Sequence, residues 1–215
     1  MKTLWAEAVG TFFLFAAVIG SGILAEGLAG GNVLLAVLTV TLATAFMLQL
    51  LVTMLGPVSG AQFNPAVSLV LRLRGGGSWG ELLAMVSVQV AAGIAAVFCV
   101  HAMFGQPMLQ LSGNARDGAG LMLGEFVATF GLILTILLTA RHKPDAVPTS
   151  VALYIGAAIL FTSSTCFANP AITLARALTD SLTGIAPASV PGFIAAQFAG
   201  ALAAHGLERA LYPEA

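Results

Sequence analysis

Six long apolar segments are the feature that most restricts how this chain can fold. They cover about residues 4–24, 34–55, 81–104, 121–140, 148–167 and 191–211. A helix needs about 20 predominantly apolar residues to cross the hydrocarbon core of a bilayer. Each segment meets that requirement, so the sequence predicts an all-α membrane protein with six transmembrane helices in a single domain, residues 1–215.

The composition agrees with this prediction and excludes several classes of function. Hydrophobic residues make up 59% of the chain and charged residues only 8%, whereas a soluble domain carries about a quarter charged residues. The net charge of −1 provides no basic surface, so we expect no nucleic-acid partner. We recognise no nucleophile–base pair, phosphate-binding loop or set of metal ligands, and we therefore expect neither an enzyme nor a cofactor or metal site.

Two further apolar stretches, residues 65–73 and 170–178, are too short to cross a bilayer. Each begins within the same triplet, which consists of Asn64, Pro65 and Ala66 in the first stretch and of Asn169, Pro170 and Ala171 in the second. Proline is favoured at the first position of a helix, and asparagine is a good cap immediately before it. The triplets therefore predict two re-entrant half-helices.

Several motifs of the first half recur in the second half in the same order. AEAVGTFFLF at 6–15 matches GEFVATFGLI at 124–133, and VSVQVAAG at 86–93 matches IAAQFAGA at 194–201, with the Asn-Pro-Ala triplets between them. This match pairs Glu7 with Glu125, and Gln89 with Gln197. The sequence therefore predicts an internal duplication.

The duplication has an odd number of spans in each half, so the second half must lie upside down relative to the first. We expect inverted repeats over residues 1–110 and 118–215, an arrangement that places functional elements near the middle of the bilayer. Backbone that stops halfway across lipid must line a cavity or be buried in protein. Two opposed helix N-termini, with their free N–H groups, partial positive charge and asparagine amide donors, would line a pore that resists cations.

On these motifs the chain resembles the aquaporin and aquaglyceroporin (major intrinsic protein) family. The resemblance is carried by AExxGTF around Glu7, SGAQFNPAVSL at 59–69, the Ala196–Gln197 pair and both triplets. It implies six tilted helices with two half-helices, assembled as a homotetramer with one pore per subunit. It also implies passive flow of water and small neutral solutes.

The chain departs from the family at the narrowest part of the pore. Most members continue the second triplet with arginine, whereas this chain has Ile172. Ungapped counting assigns the other selectivity-filter positions to Thr44, Ala157 and Cys166. This set has no ring and no charge, so we expect a wide filter that admits glycerol-like polyols and neutral metalloid hydroxides such as arsenite. The second triplet resembles that of bacterial channels associated with arsenic resistance.

A second arginine follows shortly after the changed position. Arg176 lies four residues after Ile172, on the same face of the half-helix, and helical side chains lean toward the N-terminus. We expect its guanidinium to approach the pore mouth and partly replace the missing filter arginine. The alternative is a surface ion pair with Asp180, four residues further on.

Four polar residues lie inside predicted spans, where they must face the protein interior. Glu7, Glu125, Gln89 and Gln197 are interpreted as structural supports, because each half has one re-entrant loop that needs hydrogen-bond partners. A proton relay through the two carboxylates is the alternative.

The distribution of basic residues predicts the orientation. Lys2, Arg72, Arg74, Arg141, Lys143 and Arg209 lie on one side of a six-span arrangement, and Arg116 and Arg176 on the other. Lysine and arginine mark the cytoplasmic side, so we expect both termini in the cytoplasm and the protein in the inner (plasma) membrane. Alternative functions are a water-selective aquaporin, a secondary transporter built from inverted repeats, and a membrane scaffold.

Overall fold

The computed structural model describes residues 1–213, so the last two residues of the predicted domain lie outside the described part. Those 213 residues form eight α-helices, which are α1 Lys2–Leu28, α2 Val33–Ser59, α3 Pro65–Leu73, α4 Trp79–Met103, α5 Ala119–His142, α6 Val147–Phe161, α7 Pro170–Arg176 and α8 Val190–Leu211. Short 3-10 turns at Pro144–Ala146 and Pro187–Ser189 precede α6 and α8.

Six of the helices in residues 1–213 are long and apolar enough to cross a membrane. The other two, α3 and α7, have nine and seven residues. At 1.5 Å per residue they are only about 14 Å and about 10 Å long, which is half a bilayer or less. The predicted all-α membrane fold, with six transmembrane helices and two half-helices, is confirmed.

Both half-helices begin where the Asn-Pro pairs predict. Asn64 and Asn169 have extended backbones, and the following proline is the first helical residue in each case. The Asn64 side-chain oxygen accepts the Ala66 N–H at 2.9 Å. The Asn169 oxygen accepts the N–H groups of Ala171 and Ile172 at 3.0 Å and 3.3 Å. These caps satisfy donors that a helix N-terminus would otherwise leave unpaired.

The predicted fifth span, residues 148–167, is wrong at its C-terminal end. Helix α6 ends at Phe161, and residues 162–169 form a loop that leads to the start of α7. Thr165, Cys166 and Ala168 adopt positive φ angles, which a continuing helix cannot contain. Four hydroxyl residues follow α6 at positions 162–165, but the expected span length of about 20 residues carried the prediction past them to Phe167. The second half-helix is also two residues shorter than predicted.

Small residues allow the long helices to pack closely, as is common between transmembrane helices. Gly93 of α4 lies against the Phe15 ring of α1, and Gly200 of α8 lies against the Phe126 backbone carbonyl of α5. Together, Phe15, Phe63 and Phe193 are the largest fully buried side chains. The long helices therefore approach one another closely at these two glycines.

The two ends of the molecule are fastened differently. At one end the buried carboxylate of Glu208 binds Arg74 and Arg141, which joins α8 to the ends of α3 and α5. At the other end the connector between α4 and α5, residues 104–118, packs on the loop after α7. Asn114 illustrates this contact, because its Nδ2 donates to the Ser181 carbonyl at 2.7 Å.

Candidate solute channel

A cavity of about 270 Å³ runs along the re-entrant loops and past both half-helix N-termini. Apolar side chains of α1, α2, α5 and α6, including Val18, Val40 and Ile136, form one wall. The two re-entrant loops, with Asn64 and Asn169, form the opposite wall. The cavity therefore has an apolar side and a polar side.

The two asparagines connect the halves of the molecule by exchanging hydrogen bonds. Asn64 Nδ2 donates to the Ala168 carbonyl at 2.7 Å, and Asn169 Nδ2 donates to the Phe63 carbonyl at 2.8 Å. Each amide nitrogen carries two N–H groups. One is committed to the opposite loop, which leaves one donor per asparagine for the cavity that both side chains line.

Glu7 is buried behind the first re-entrant loop and accepts four hydrogen bonds. Its Oε1 accepts the Ser59 hydroxyl at 2.7 Å and the Gln62 N–H at 2.9 Å. Its Oε2 accepts the Phe63 N–H at 2.8 Å and Gln89 Nε2 at 2.9 Å. These are the contacts of a brace, and they occupy both carboxylate oxygens.

Glu125 makes the equivalent contacts behind the second loop. Its Oε1 accepts the Phe167 N–H at 2.9 Å. Its Oε2 accepts the Ala168 N–H at 2.9 Å and Gln197 Nε2 at 2.6 Å. Gln197 Nε2 also donates to the hydroxyl of Thr173 on the half-helix at 2.8 Å. The four polar residues that the sequence singled out therefore lie together in two matching groups.

The braces hold backbone conformations that are costly for residues other than glycine. Positive φ angles between 47° and 60° occur at Ala61, Phe63, Thr165, Cys166 and Ala168, all of them in the two re-entrant loops. Each left-handed residue costs roughly 1–2 kcal/mol. The carboxylate hydrogen bonds offset part of this cost and fix the direction of two successive peptide groups in each loop.

The orientation of these loop peptide groups gives the polar wall its hydrogen-bond acceptors. In a trans peptide the N–H and the preceding carbonyl point in opposite directions. Because the N–H groups of Gln62 and Phe63 point at the first brace, the carbonyls of Ala61 and Gln62 point away from it. The same reasoning applies to the carbonyls of Cys166 and Phe167 in the second loop. Ala61, Gln62, Cys166 and Phe167, which carry these four carbonyls, all line the cavity.

Three of the four predicted filter residues line the cavity. Thr44, Cys166 and Ile172 are all buried and contribute to its surface. The Thr44 hydroxyl donates to the Val40 carbonyl at 2.7 Å, so it offers the cavity only acceptor capacity. The structure therefore brings a hydroxyl, a thiol and an aliphatic side chain to the same space.

The prediction of Ala157 as the fourth filter residue is wrong. The Ala157 side chain is exposed on the outer face of α6 and does not line the cavity. Helix α6 instead contributes Ile155 and Ile159, among others. Position 157 lies two residues from each of them, which is about 200° around a helix with 3.6 residues per turn. Counting along the sequence does not take account of this rotation.

Arg176 lies at the predicted place, on the wall of the cavity. Its guanidinium carbon is 3.3 Å from the centroid of the Phe167 ring, so the side chain reaches back past the start of its own half-helix. Its Nε donates to the Thr183 carbonyl. The alternative pairing with Asp180 is wrong. Within residues 1–213 the two side chains form no ion pair, and Asp180 Oδ1 accepts the Gly113 N–H at 3.0 Å.

A second arginine, Arg116, reaches the same mouth and was not among the predicted site residues. Its Nε donates to the Gly184 carbonyl at 2.7 Å, and its Nη2 donates to the Leu182 carbonyl at 3.0 Å. Burial lowers the pKa of Arg116, and the charge of Glu125 partly offsets this effect. Its only sequence signal was a cation in the connector between α4 and α5, on the same predicted side as Arg176.

A helical membrane protein whose two half-helices begin at one amphipathic cavity belongs to the class of membrane channels. Comparison with known proteins specifies this class further. The sequence profile of the major intrinsic protein family matches residues 1–167. The chain belongs to the major intrinsic protein family, and it is a multi-pass membrane channel rather than an enzyme.

Similarity to individual proteins extends over nearly the whole chain. The chain is 49% identical over 204 residues to aquaglyceroporin AqpS of Rhizobium meliloti (strain 1021), covering 95% of this chain and 87% of that protein. It is 31% identical over 209 residues to aquaporin NIP1-4 of Oryza sativa subsp. japonica, covering 94% and 74%. The X-ray structure of the aquaglyceroporin from Plasmodium falciparum superposes with a TM-score of 0.74 at 18% identity, covering 99% and 97%.

Proposed function

We propose that this protein is a passive channel for water and for small uncharged solutes that carry several hydroxyl groups, such as glycerol. The observation that carries this proposal is the two-sided cavity. Loop carbonyls and the amides of Asn64 and Asn169 lie opposite an apolar wall. A polyol has the matching surfaces, since its hydroxyls need acceptors and donors while its C–H groups need apolar contact.

The residues around the narrow part of the cavity favour solutes wider than water. Thr44, Cys166 and Ile172 line the cavity together with Ile155 and Ile159 of α6, and we infer that these five form an uncharged ring at the narrow part of the path, without Ala157. Water passing an aliphatic wall loses hydrogen bonds, whereas a larger solute keeps more of its contacts. On the same grounds we propose neutral metalloid hydroxides, arsenite among them, as further solutes. The similarity to a protein named an aquaglyceroporin supports this range.

The two triplets have a positional role in this proposal. Pro65 and Pro170 start the half-helices without an unused N–H, and Ala66 and Ala171 keep the two helix starts close together. Arg176 places a positive charge at one mouth, which disfavours cations. Glu7, Glu125, Gln89 and Gln197 act as structural supports rather than as a proton relay.

We further propose that residues 1–110 and 118–215 are inverted repeats, that the protein is a homotetramer, and that it lies in the inner (plasma) membrane with both termini cytoplasmic. The matched contacts of Glu7 and Glu125 support the repeats. The contacts of Arg74 and Arg141 with Glu208 bring two of the basic residues that we assign to the cytoplasmic side to the same end of the molecule, which supports this orientation.

Stopped-flow light scattering on proteoliposomes tests the proposed function. We expect glycerol and water to cross faster than in protein-free liposomes, without saturation and without dependence on an ion gradient. Arsenite uptake is measured on the same vesicles. Water flux without glycerol flux would indicate a water-selective aquaporin instead. Saturable, ion-coupled uptake would indicate a transporter, and no flux of any solute would leave only a scaffold.

A further inference from the structure

The two mouths of the cavity differ at equivalent positions. Counting seven residues from each capping asparagine gives Leu71 after Asn64 and Arg176 after Asn169, and both side chains line the cavity. At this pair of equivalent positions, one mouth therefore has an apolar side chain and the other has a guanidinium. The duplication alone does not require this difference, so the cationic mouth is a specific feature of the second half.

Arg116 reaches that same mouth from a different part of the chain. It comes from the connector before α5, and two backbone carbonyls of the loop after α7, those of Leu182 and Gly184, fix its side chain. The connector itself is anchored nearby, because the Arg116 N–H donates to the Ser189 hydroxyl at 3.1 Å. Because both Nε and Nη2 of Arg116 are hydrogen-bonded, its guanidinium has a defined position. The Arg116 side chain lines the cavity.

The two guanidinium groups share one aromatic ring. The Phe167 ring centroid lies 3.3 Å from Cζ of Arg176 and 5.1 Å from Cζ of Arg116. Cation–π contact accommodates a guanidinium that lacks a carboxylate partner. Phe167 itself is buried beside the brace carboxylate Glu125, which keeps this platform rigid.

No carboxylate neutralises either arginine by direct contact. Within residues 1–213 the ion pairs all involve Glu208, at the opposite end of the molecule. The nearest brace, Glu125, lies behind the loop with its oxygens occupied by Phe167, Ala168 and Gln197. Arg116 and Arg176 are also the charged side chains of the cavity wall within residues 1–213. The wall at this mouth therefore carries two positive charges. The carboxylates of Glu26, Asp117 and Asp180 lie on the surrounding segments and form no ion pair with either arginine within residues 1–213.

We propose that Arg116 and Arg176 together form the cation barrier of this channel. This barrier lies further out than the ring position that Ile172 occupies. Arg116 is then a second specificity-determining residue. The inference rests on the proposed channel function. Two charges at the mouth repel protons and metal cations while leaving the ring wide for neutral solutes. Charge selection and size selection are thereby separated along the cavity.

The size of the effect follows from Coulomb's law. A unit charge about 8 Å from a permeating cation, at an effective dielectric constant of 20–40, changes the barrier enough to alter the rate about tenfold. The Debye length is about 30 Å at 0.01 M salt but about 3 Å at 1 M. We therefore expect each arginine to lower cation leak about tenfold at low ionic strength and clearly less at high ionic strength.

The test measures proton and K⁺ leak together with glycerol flux in the same proteoliposomes. The variants are R116Q, R116K, R176L, which copies the leucine of the other half, and the double variant R116Q/R176L. R209Q is the matched control, because Arg209 is an exposed cation at the opposite end. We expect about tenfold more leak for R116Q and R176L, about a hundredfold for the double variant, and unchanged leak for R116K and R209Q.

The readings separate the failure of this inference from the failure of the proposed function. Unchanged leak in R116Q with intact glycerol flux overturns the inference, and so does equal leak in R116K and R116Q, because that would show a role of Arg116 in shape rather than charge. Absence of glycerol flux in the unmodified protein would instead overturn the channel.

A chemical variant covers the case in which R116Q does not insert. Folded R116K in vesicles is acetylated, which removes the lysine charge, and acetylated unmodified protein corrects for Lys2 and Lys143. If acetylation raises the cation leak about tenfold in R116K but not in the unmodified protein, the inference is supported. If acetylated R116K and acetylated unmodified protein leak equally, the inference is overturned.

Discussion

Individual buried carboxylates determine the course of the re-entrant backbone. Glu125 accepts two successive N–H groups, those of Phe167 and Ala168, and thereby stabilises a loop with left-handed residues. A carboxylate accepts from several directions and donates nothing, so no other side chain of this length satisfies both amides and Gln197 at once. The residue thus links a membrane-buried charge to the shape of the cavity wall.

We expect E125Q to destabilise the protein, because one face of the amide is a donor and would leave a buried N–H unsatisfied at a cost of about 1–3 kcal/mol. For a chain of this length that corresponds to a melting temperature about 2–10 °C lower in detergent. E26Q, at an exposed position, is the control. Unchanged stability with newly pH-dependent proton flux would favour the relay instead.

Cys166 provides a chemical probe of the cavity. Cys166 is only 6% exposed yet lines the cavity, as does Ile172, whereas Cys99 of α4 is exposed. We expect a small neutral thiol reagent to lower glycerol flux by narrowing the ring, and C166S to abolish this block while C99S retains it. Flux that is unaffected by the reagent, with mass spectrometry showing modified Cys166, would place the thiol outside the path.

Some residues of the site could be predicted from the sequence, and others required the fold. The asparagines, the brace residues and Arg176 were found because repeated motifs and helical spacing identify them. The assignment of Ala157 to the filter was wrong because ungapped counting ignores the rotation of α6, which turns position 157 outward. Arg116 was missed because sixty residues separate it from Arg176, and only the packing of two loops brings them to one ring.

At the level of elements, the half-helices were the most predictable part of the fold. An Asn-Pro pair specifies both a cap and a first helical residue, so α3 has the predicted bounds and α7 the predicted start. The end of α6 was missed because an expected span of about 20 residues reached past the hydroxyl residues at 162–165 that follow the helix. Positive φ angles at Thr165 and Cys166 depend on tertiary hydrogen bonds rather than on local sequence preference.

The crossing of α5 and α8 depends on one glycine. A Cβ added at Gly200 would overlap the Phe126 carbonyl, a backbone atom that cannot rotate away, whereas one at Gly206 of the same helix meets nothing within 4 Å. We expect G200A to lose about 1–3 kcal/mol of stability and G206A to match or exceed the unmodified protein. Thermal unfolding in detergent measures both. Equal stability of the two variants would contradict the close crossing.

At the scale of the whole molecule, neither half forms the channel alone. Each asparagine caps its own half-helix and donates to the loop of the other half, so the central wall exists only when both halves are docked. The brace carboxylates act within their own halves, Glu7 on the first loop and Glu125 on the second, and the arginines break the near-symmetry at one mouth. Near-symmetry thus provides the scaffold of the channel, and a departure from symmetry provides its charge.

The most direct test of this account is a high-resolution experimental structure of the protein in a lipid nanodisc, with ordered water resolved. We expect a continuous line of water along the loop carbonyls that passes within hydrogen-bond distance of Asn64 Nδ2 and Asn169 Nδ2. We also expect the N-termini of the two half-helices to lie near the bilayer centre. A packed, dry space around either asparagine, or either half-helix continuing across the bilayer, would contradict the account.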